Sequence, residues 1–200
     1  MALPVGRLSE EAASFLIKRN LLTDGVVDFN DRRLLFEDSD KKLRIILVRN
    51  MDVPVYVEYG ATDIGIVGKD VILEMKSDVY EVLDLKFGKC KLCVAGPLSF
   101  GNKYKHDMKI ATKYPNITKD FFINKGYFVD TIKLYGSVEI APLFNLAHLI
   151  VDLVSTGETL KKNGLSIIDV VLESSARLVA NKNLMRIKHD RIKSIMDILC

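Results

Sequence analysis

Hydrophobic positions follow two periods along this chain. Apolar residues three or four apart predict helices, and short apolar runs bounded by Gly, Pro, Asn or Asp predict strands. Ala12, Phe15, Leu16 and Leu22 supply one helix face, with Ser9 as its predicted N-cap, Glu10 and Glu11 in its first turn and Lys18 and Arg19 in its last. Residues 34–36 and 43–48 predict the two strands of a hairpin. Asp52 is the predicted cap of a short helix with Pro54 in its first turn, stopped by Gly60. A glycine-rich apolar strand over 63–68 then leads to a helix over 71–76, and strands over 80–85 and 92–95 follow before Gly96-Pro97, a predicted chain break.

A second series opens with a strand over 109–112. Asn116 is the predicted cap of a helix over 117–125 closed by Gly126, and a strand over 131–134 leads to a helix start capped by Ser137. The apolar run ending at Val154 breaks at Ser155-Thr156-Gly157 into a further helix, and 166–172 and 176–180 are strand candidates. In the last helix, Ile187, Ile192, Ile195, Met196 and Leu199 share a face, with Lys188, Arg191 and Lys193 on the solvated side. The pattern predicts an α/β protein with two lobes and a ligand cleft between them: 1–87 plus a returning 173–200, and 88–172.

Candidate chemistry concentrates in the segment Ile150-Val151-Asp152-Leu153-Val154-Ser155-Thr156-Gly157-Glu158-Thr159-Leu160. A strand carrying one acid that breaks into a hydroxyl-rich turn and then a helix is a design for an anion site. Backbone N–H groups of the first helical turn lack intrahelical partners, and the helix dipole adds partial positive charge. Ser155, Thr156 and Thr159 add hydroxyl donors, Gly157 permits close approach, and Asp152 can accept hydrogen bonds from sugar hydroxyls, which suggests a phosphorylated ribose. The alternative is an ordinary strand-turn-helix corner with a Ser/Thr cap.

Composition narrows the classes. An apolar content of 48% fills a core without a staple, and a formal charge of +3 with interspersed signs gives no nucleic-acid surface. No apolar run reaches a membrane span and no basic leader precedes Pro4, so a cytoplasmic protein is expected. Cys90 and Cys93 form a CxxC within a predicted strand. Positions i and i+3 face opposite sides there, and no second pair completes a zinc site, so free thiols are expected.

Several blocks, in order, resemble the short form of ATP phosphoribosyltransferase. They are Ala2-Leu3-Pro4-Val5-Gly6-Arg7-Leu8; Arg49-Asn50-Met51-Asp52-Val53-Pro54 with Gly60 through Asp70; Ile110-Ala111-Thr112-Lys113-Tyr114-Pro115; Lys133-Leu134-Tyr135-Gly136-Ser137-Val138-Glu139-Ile140-Ala141-Pro142; Val151 through Leu160 with Asn163-Gly164-Leu165; and Ser175-Ala176-Arg177-Leu178-Val179-Ala180-Asn181. The resemblance implies a fold like type II periplasmic binding proteins. It also implies transfer of 5-phosphoribosyl from phosphoribosyl pyrophosphate to N1 of the adenine of ATP, releasing pyrophosphate with Mg²⁺ present, as the first step of histidine biosynthesis.

Residue roles follow from the same resemblance. Asp152 through Leu160, including Val154 and Glu158, would bind the ribose 5-phosphate part, and Glu139 would approach the ribose hydroxyls or the metal side. Gly6, Arg7, Arg32, Arg49, Asp70 and Lys113 would lie on the ATP side, and Asp152, Glu139 and Arg49 would serve catalysis. Mg²⁺ would be held mainly by pyrophosphate oxygens rather than by protein ligands. Arg32 would reach a neighbouring subunit's site in the family's dimer. Short-form members work with a histidyl-tRNA synthetase-like regulatory subunit, which implies a homodimer alone and a hetero-octamer with that partner. The chain departs from the pattern at Val5, where the family usually has lysine, and at Asn145 and His148, where it usually has Gly and Asp. Two other readings remain: a phosphoribosyltransferase acting on a free nucleobase, and a non-enzymatic phosphosugar-binding protein.

Overall fold

The computed structural model describes residues 1–101 and 103–200. The chain divides into two compact units: unit 1 comprises Met1–Gly88 and Ser175–Cys200, and unit 2 comprises Lys89–Ser174.

Unit 1 is built on a six-stranded sheet. In chain order it contains β1 (Ala2–Pro4), α1 (Arg7–Lys18), β2 (Leu35–Asp38), β3 (Leu43–Val48), α2 (Val53–Glu58), β4 (Ile64–Gly68), α3 (Lys69–Met75) and β5 (Val79–Asp84). After unit 2 the chain returns with β11 (Ala176–Asn181), α6 (Lys182–Ile187) and α7 (His189–Leu199). The strand order is β2-β3-β1-β4-β11-β5. Both β3 and β4 run parallel to β1, while β11 is antiparallel to β4 and β5.

Strand periodicity divides the core of unit 1 into two layers, because successive side chains point to opposite faces. Leu3, Ile66 and Leu178 join Ala12 and Leu16 of α1 and Ile192, Ile195 and Leu199 of α7. Their neighbours Ala2, Val67 and Val179 turn the other way, onto Val53, Val57 and Val71 of α2 and α3. Each fully buried aliphatic side chain contributes roughly 1.5–3 kcal/mol, so both layers are needed to hold the sheet.

Unit 2 carries a five-stranded sheet ordered β10-β6-β9-β7-β8. Its elements are β6 (Cys90–Pro97), β7 (Met108–Thr112), α4 (Pro115–Asn124), β8 (Val129–Lys133), β9 (Leu149–Val154), α5 (Glu158–Lys162) and β10 (Leu165–Ser174). Strand β7 runs parallel to β8 and β9, and β6 is antiparallel to β9 and β10. Cys93, Ala95, Ala111, Ile150 and Val154 form one core face with Val138, Ala141, Leu160 and Leu165. Cys93 is buried and Cys90 half-buried, and the two are not joined by a disulfide. Among the described residues no helix is long and apolar enough to cross a membrane.

Several local expectations are corrected. Helix α1 starts at Arg7, before Ser9, because Gly6 takes φ +100° and makes the turn itself; the Ser9 hydroxyl is buried and donates to Gly6 O at 2.6 Å. Helix α4 starts at Pro115, so Asn116 lies inside its first turn. Ser137 sits at φ +49° without a capping bond, and two 3-10 turns, Val138–Ile140 and Pro142–Phe144, stand where a helix was expected. Strand β6 continues through Gly96-Pro97. Ile187 is 77% exposed, because α6 ends there and α7 begins at His189; Ile192, Ile195 and Leu199 carry the buried face.

Candidate active site

Parallel strands bring their carboxyl ends to one edge of a sheet, and loops leaving that edge are where α/β proteins bind ligands. In unit 2 the parallel set is β7, β8 and β9. Lys113 follows β7, Glu139 follows β8 in the first 3-10 turn, and the 155–160 segment follows β9. Asp152 lies within β9, on the same face as Ile150 and Val154 by strand alternation. That is the face on which Val138 and Ala141 pack, which brings Glu139 beside it.

The electrostatics bear out this closeness. Burial pushes the Asp152 carboxyl above its usual range, and the negative charge of Glu139 pushes it further. The Leu153 N–H, which donates to Asp152 Oδ1 at 2.8 Å, and the charge of Lys113 pull it partly back. The structure therefore brings Asp152, Glu139 and Lys113 into one electrostatic cluster.

The loop beyond β9 is compact. Ser155 and Thr156 are exposed, while Val154 and Leu160 are buried, so the two apolar residues can meet a ligand only through their main chain. Gly157 adopts φ +78°, a conformation that costs an L side chain about 1–2 kcal/mol. The Glu158 N–H donates to Thr156 Oγ1 at 3.4 Å. Helix α5 is only five residues long, so its dipole is weaker than the sequence reading supposed, and the local N–H groups of the turn carry the attraction for an anion. The side chain of Glu158, in the first turn, is acidic and repels an anion, and its N–H already faces Thr156 Oγ1.

One residue of this edge escaped the sequence reading. Thr112, at the end of β7, is fully buried; its hydroxyl donates to Val151 O at 2.7 Å and accepts from the Tyr114 N–H at 2.9 Å. Thr118 adds a bond from its hydroxyl to Tyr114 O at 2.7 Å. These bonds tie the turn bearing Lys113 to β9 one residue from Asp152. The signal was a hydroxyl residue closing an apolar strand just before Tyr114-Pro115, a position that needs a polar partner when buried.

Unit 1 repeats the arrangement at its own edge. Gly6 and Arg7 follow β1, Arg49 follows β3, and Asp70 lies in the first turn of α3 just past β4. Arg32 precedes β2, which is antiparallel to β3, so it enters from the same edge as Arg49. Arg7, Arg32 and Arg49 are exposed, and Arg7 Nε lies 3.5 Å from Glu11 Oε1. Asp70 is only 2% exposed. Nearby, Arg177 bridges Glu81 at 3.3 Å and Asp84 at 3.2 Å, Lys69 pairs with Glu81, and Ser175 Oγ donates to Asp84 at 2.9 Å. This network fixes the start of β11, and Lys69 just past β4, against β5.

A family described as HisG: ATP phosphoribosyltransferase matches residues 49–200. The chain belongs to the ATP phosphoribosyltransferase family. A relative of that name from Caldanaerobacter subterraneus subsp. tengcongensis is 47% identical over 196 residues, covering 98% of this chain and 93% of that protein. Another, from Citrifermentans bemidjiense, is 46% identical over 201 residues, covering 98% and 94%. Among solved structures, the ATP phosphoribosyl transferase (HisG:HisZ) complex from Thermotoga maritima matches with a TM-score of 0.84 and 34% identity, covering 99% of this chain and 94% of that one. The periplasmic aliphatic sulphonate binding protein SsuA from Escherichia coli matches at a TM-score of 0.59 and 9% identity, over 99% of this chain and 69% of that one; that likeness concerns the fold alone. The fold is thus that of ATP phosphoribosyltransferases and of the two-lobed periplasmic binding proteins, as the sequence reading expected. Arg49, Asp70, Lys113, Glu139 and the 152–160 segment all fall inside the matched family span, whereas Gly6, Arg7 and Arg32 fall outside it. The family's name describes a phosphoribosyl transfer involving ATP, the reaction that opens histidine biosynthesis.

Proposed function

We propose that the 152–160 segment of unit 2 binds the 5-phosphoribosyl end of phosphoribosyl pyrophosphate, and that this group is transferred to N1 of the adenine of ATP. The observation that carries the reading is the cluster of Asp152, Glu139 and Lys113 at the same sheet edge as the Ser155-Thr156-Gly157 turn. The turn supplies main-chain N–H and hydroxyl donors for the phosphate. Asp152 accepts from the ribose hydroxyls. The electron pair of adenine N1 attacks C1 of the ribose, the bond from C1 to the pyrophosphate oxygen breaks, and pyrophosphate leaves with that bond's electrons. Adenine N1 carries no proton at neutral pH, so the attack requires no base. The protein's part is to align N1 with C1 and to stabilise charge. Asp152 and Glu139 stabilise positive charge developing on the ribose, and Lys113, Arg49, Arg32 and Arg7 offer cations to triphosphate and pyrophosphate oxygens.

Among the described residues, no group of three or more His, Cys, Asp or Glu side chains could hold a metal ion. A Mg²⁺ ion would arrive on the pyrophosphate, with Asp152 and Glu139 as the protein carboxylates placed to approach it. When bound, the ion neutralises charge on the leaving group.

A regulatory partner belongs to the same proposal. The Thermotoga maritima relative forms a HisG:HisZ complex, and this chain covers 94% of the matched chain there. We infer a like partner here, similar to histidyl-tRNA synthetase, and a cytoplasmic setting for the pair. The test is an assay of pyrophosphate release and of phosphoribosyl-ATP formation, with and without that subunit. Formation of both products from ATP supports the reading. Turnover with free adenine or orotate but not ATP would move it to nucleobase transfer, and binding without pyrophosphate release would make the chain a phosphosugar binder.

A further inference from the structure

Strands β7 and β9 have a second end. The ligand edge described above lies at their carboxyl ends, and their amino ends, at Met108 and Leu149, open into a cavity of about 550 Å³ within unit 2. Since β9 is six residues long, the two ends are separated by roughly 17 Å at about 3.3 Å per residue. The cavity and the proposed phosphoribosyl loop are therefore distinct places on one sheet.

The lining of this cavity has a marked charge bias. Lys103, Lys105, Lys109, His106 and His148 contribute to it, against the single acid Asp107. None of the three lysines is ion-paired among the described residues. Both imidazoles are oriented by main-chain donors. The Lys109 N–H donates to His148 Nδ1 at 2.9 Å, and the Phe128 N–H donates to His106 Nδ1 at 3.3 Å. With Nδ1 occupied as an acceptor, each neutral ring carries its proton on Nε2 and can act there only as a donor. The main-chain N–H of His148 donates in turn to Lys109 O at 2.8 Å, which fixes the backbone beneath the ring. The rest of the wall is mainly apolar, with Pro97, Phe100, Met108, Pro142 and Leu146 among its members, and Ser99 and Asn145 as its neutral polar residues.

We infer that this cavity is a second ligand site, selective for a small phosphate ester whose phosphate meets the lysines and histidine Nε2 donors and whose organic part lies on the apolar wall. The volume falls in the range of small-molecule sites, and a lining that combines apolar surface with a few convergent donors of one sign suits an amphipathic anion. Neither inorganic phosphate alone nor an apolar ligand uses both halves of the lining.

The chain contains three histidines, which makes the test local. His106 and His148 line the cavity, while His189 belongs to unit 1. The full chain, labelled at histidine, is titrated with inorganic phosphate and, separately, with uridine 5′-monophosphate at constant ionic strength, following the three ring signals by NMR. The expected result is saturable movement of the His106 and His148 signals with His189 still, and at least tenfold tighter binding of the nucleotide than of phosphate. Lys105→Glu combined with Lys109→Glu should weaken the nucleotide at least tenfold while leaving phosphoribosyl transfer intact. Should that pair perturb the fold, seen as a changed circular dichroism spectrum or a lowered thermal midpoint of the free protein, Lys103→Gln with Lys105→Gln tests the same point. Movement of all three signals together without saturation overturns the site, as does unchanged affinity in the variants; equal affinity for phosphate and nucleotide overturns the assignment to an ester.

Discussion

The carboxylates of Asp152 and Glu139 reach one sheet edge from different strands, and the charge of Glu139 helps to hold a proton on Asp152. Burial is the larger cause, so Asp152 is an acid whose charged form the folded protein tolerates at a cost. Its folded-state affinity for the proton exceeds the unfolded one. The charged side chain therefore destabilises the fold at neutral pH, and this penalty fades as pH falls towards the ordinary value of 3.8. Asp152→Asn should raise the thermal midpoint at pH 7 and give no gain below about 3.8. If the proposed role holds, the same change lowers turnover by roughly a hundredfold, in line with loss of one preorganised electrostatic partner. Calorimetry across pH and steady-state kinetics read the two effects separately.

Glu139→Gln should act on Asp152 at a distance. Removing the neighbouring charge lowers the Asp152 proton affinity, so the acid limb of any pH–rate profile that reports Asp152 should move to lower pH. A profile that superimposes on the parent's contradicts the coupling.

At Gly157, φ is +78° and a Cβ would meet only Val154 Cγ1 at 3.8 Å, so space is not the obstacle. Gly157→Ala should cost about 1–2 kcal/mol through backbone strain alone, and if the loop relaxes to escape that strain its N–H groups turn away from the ligand. The expected signature is a higher KM for phosphoribosyl pyrophosphate with the KM for ATP unchanged.

Thr112→Val keeps the shape but removes the hydroxyl between Val151 O and the Tyr114 N–H. A buried donor and acceptor left without partners cost about 1–3 kcal/mol. Urea denaturation should show that loss, and Thr112→Ser should recover most of it.

Asp38 provides the opposite pH behaviour from Asp152. It is buried, which by itself would raise its pKa, but the N–H groups of Thr23 (2.7 Å) and Lys41 (3.0 Å) outweigh burial and hold it below the ordinary 3.8. Its contribution is present above that value and is lost as pH falls through the lowered folded-state value. Asp38→Asn should therefore destabilise unit 1 at pH 7 and narrow the gap to the parent under acid, as followed by circular dichroism against pH.

Most of the strands were legible because apolar runs such as 43–48 and 149–154 are short and bounded by polar turns, whereas β1, between β3 and β4 in the first sheet, is only three residues long and shows no period. The candidate site was legible for the same reason: an acid inside an apolar strand and a Ser-Thr-Gly turn after it are local signals. What failed depended on distant partners. Gly96 looked like a chain break, yet it lies within β6 because the Leu149 side chain crosses it; an added Cβ would sit 2.3 Å from Leu149 Cδ2. Ser9 and Ser137 carry the chemistry of N-caps, but Gly6 and the 3-10 turns had already set the chain direction. Ile187 fitted the helical period of α7, and only the break at Lys188 excludes it from the buried face. Thr112 went unnoticed because its importance lies in bonds to a strand read some forty residues later.

Strand β11 fits between β4 and β5, although the whole of Lys89–Ser174 separates it from β5 in the chain. Leu85 and Phe87 bond to Ala176 on the returning strand, so the exit and re-entry points adjoin. During synthesis, β1 to β5 emerge long before the piece that joins their two halves. Until the ribosome delivers Ala176–Asn181, β4 and β5 lack the strand that pairs with both.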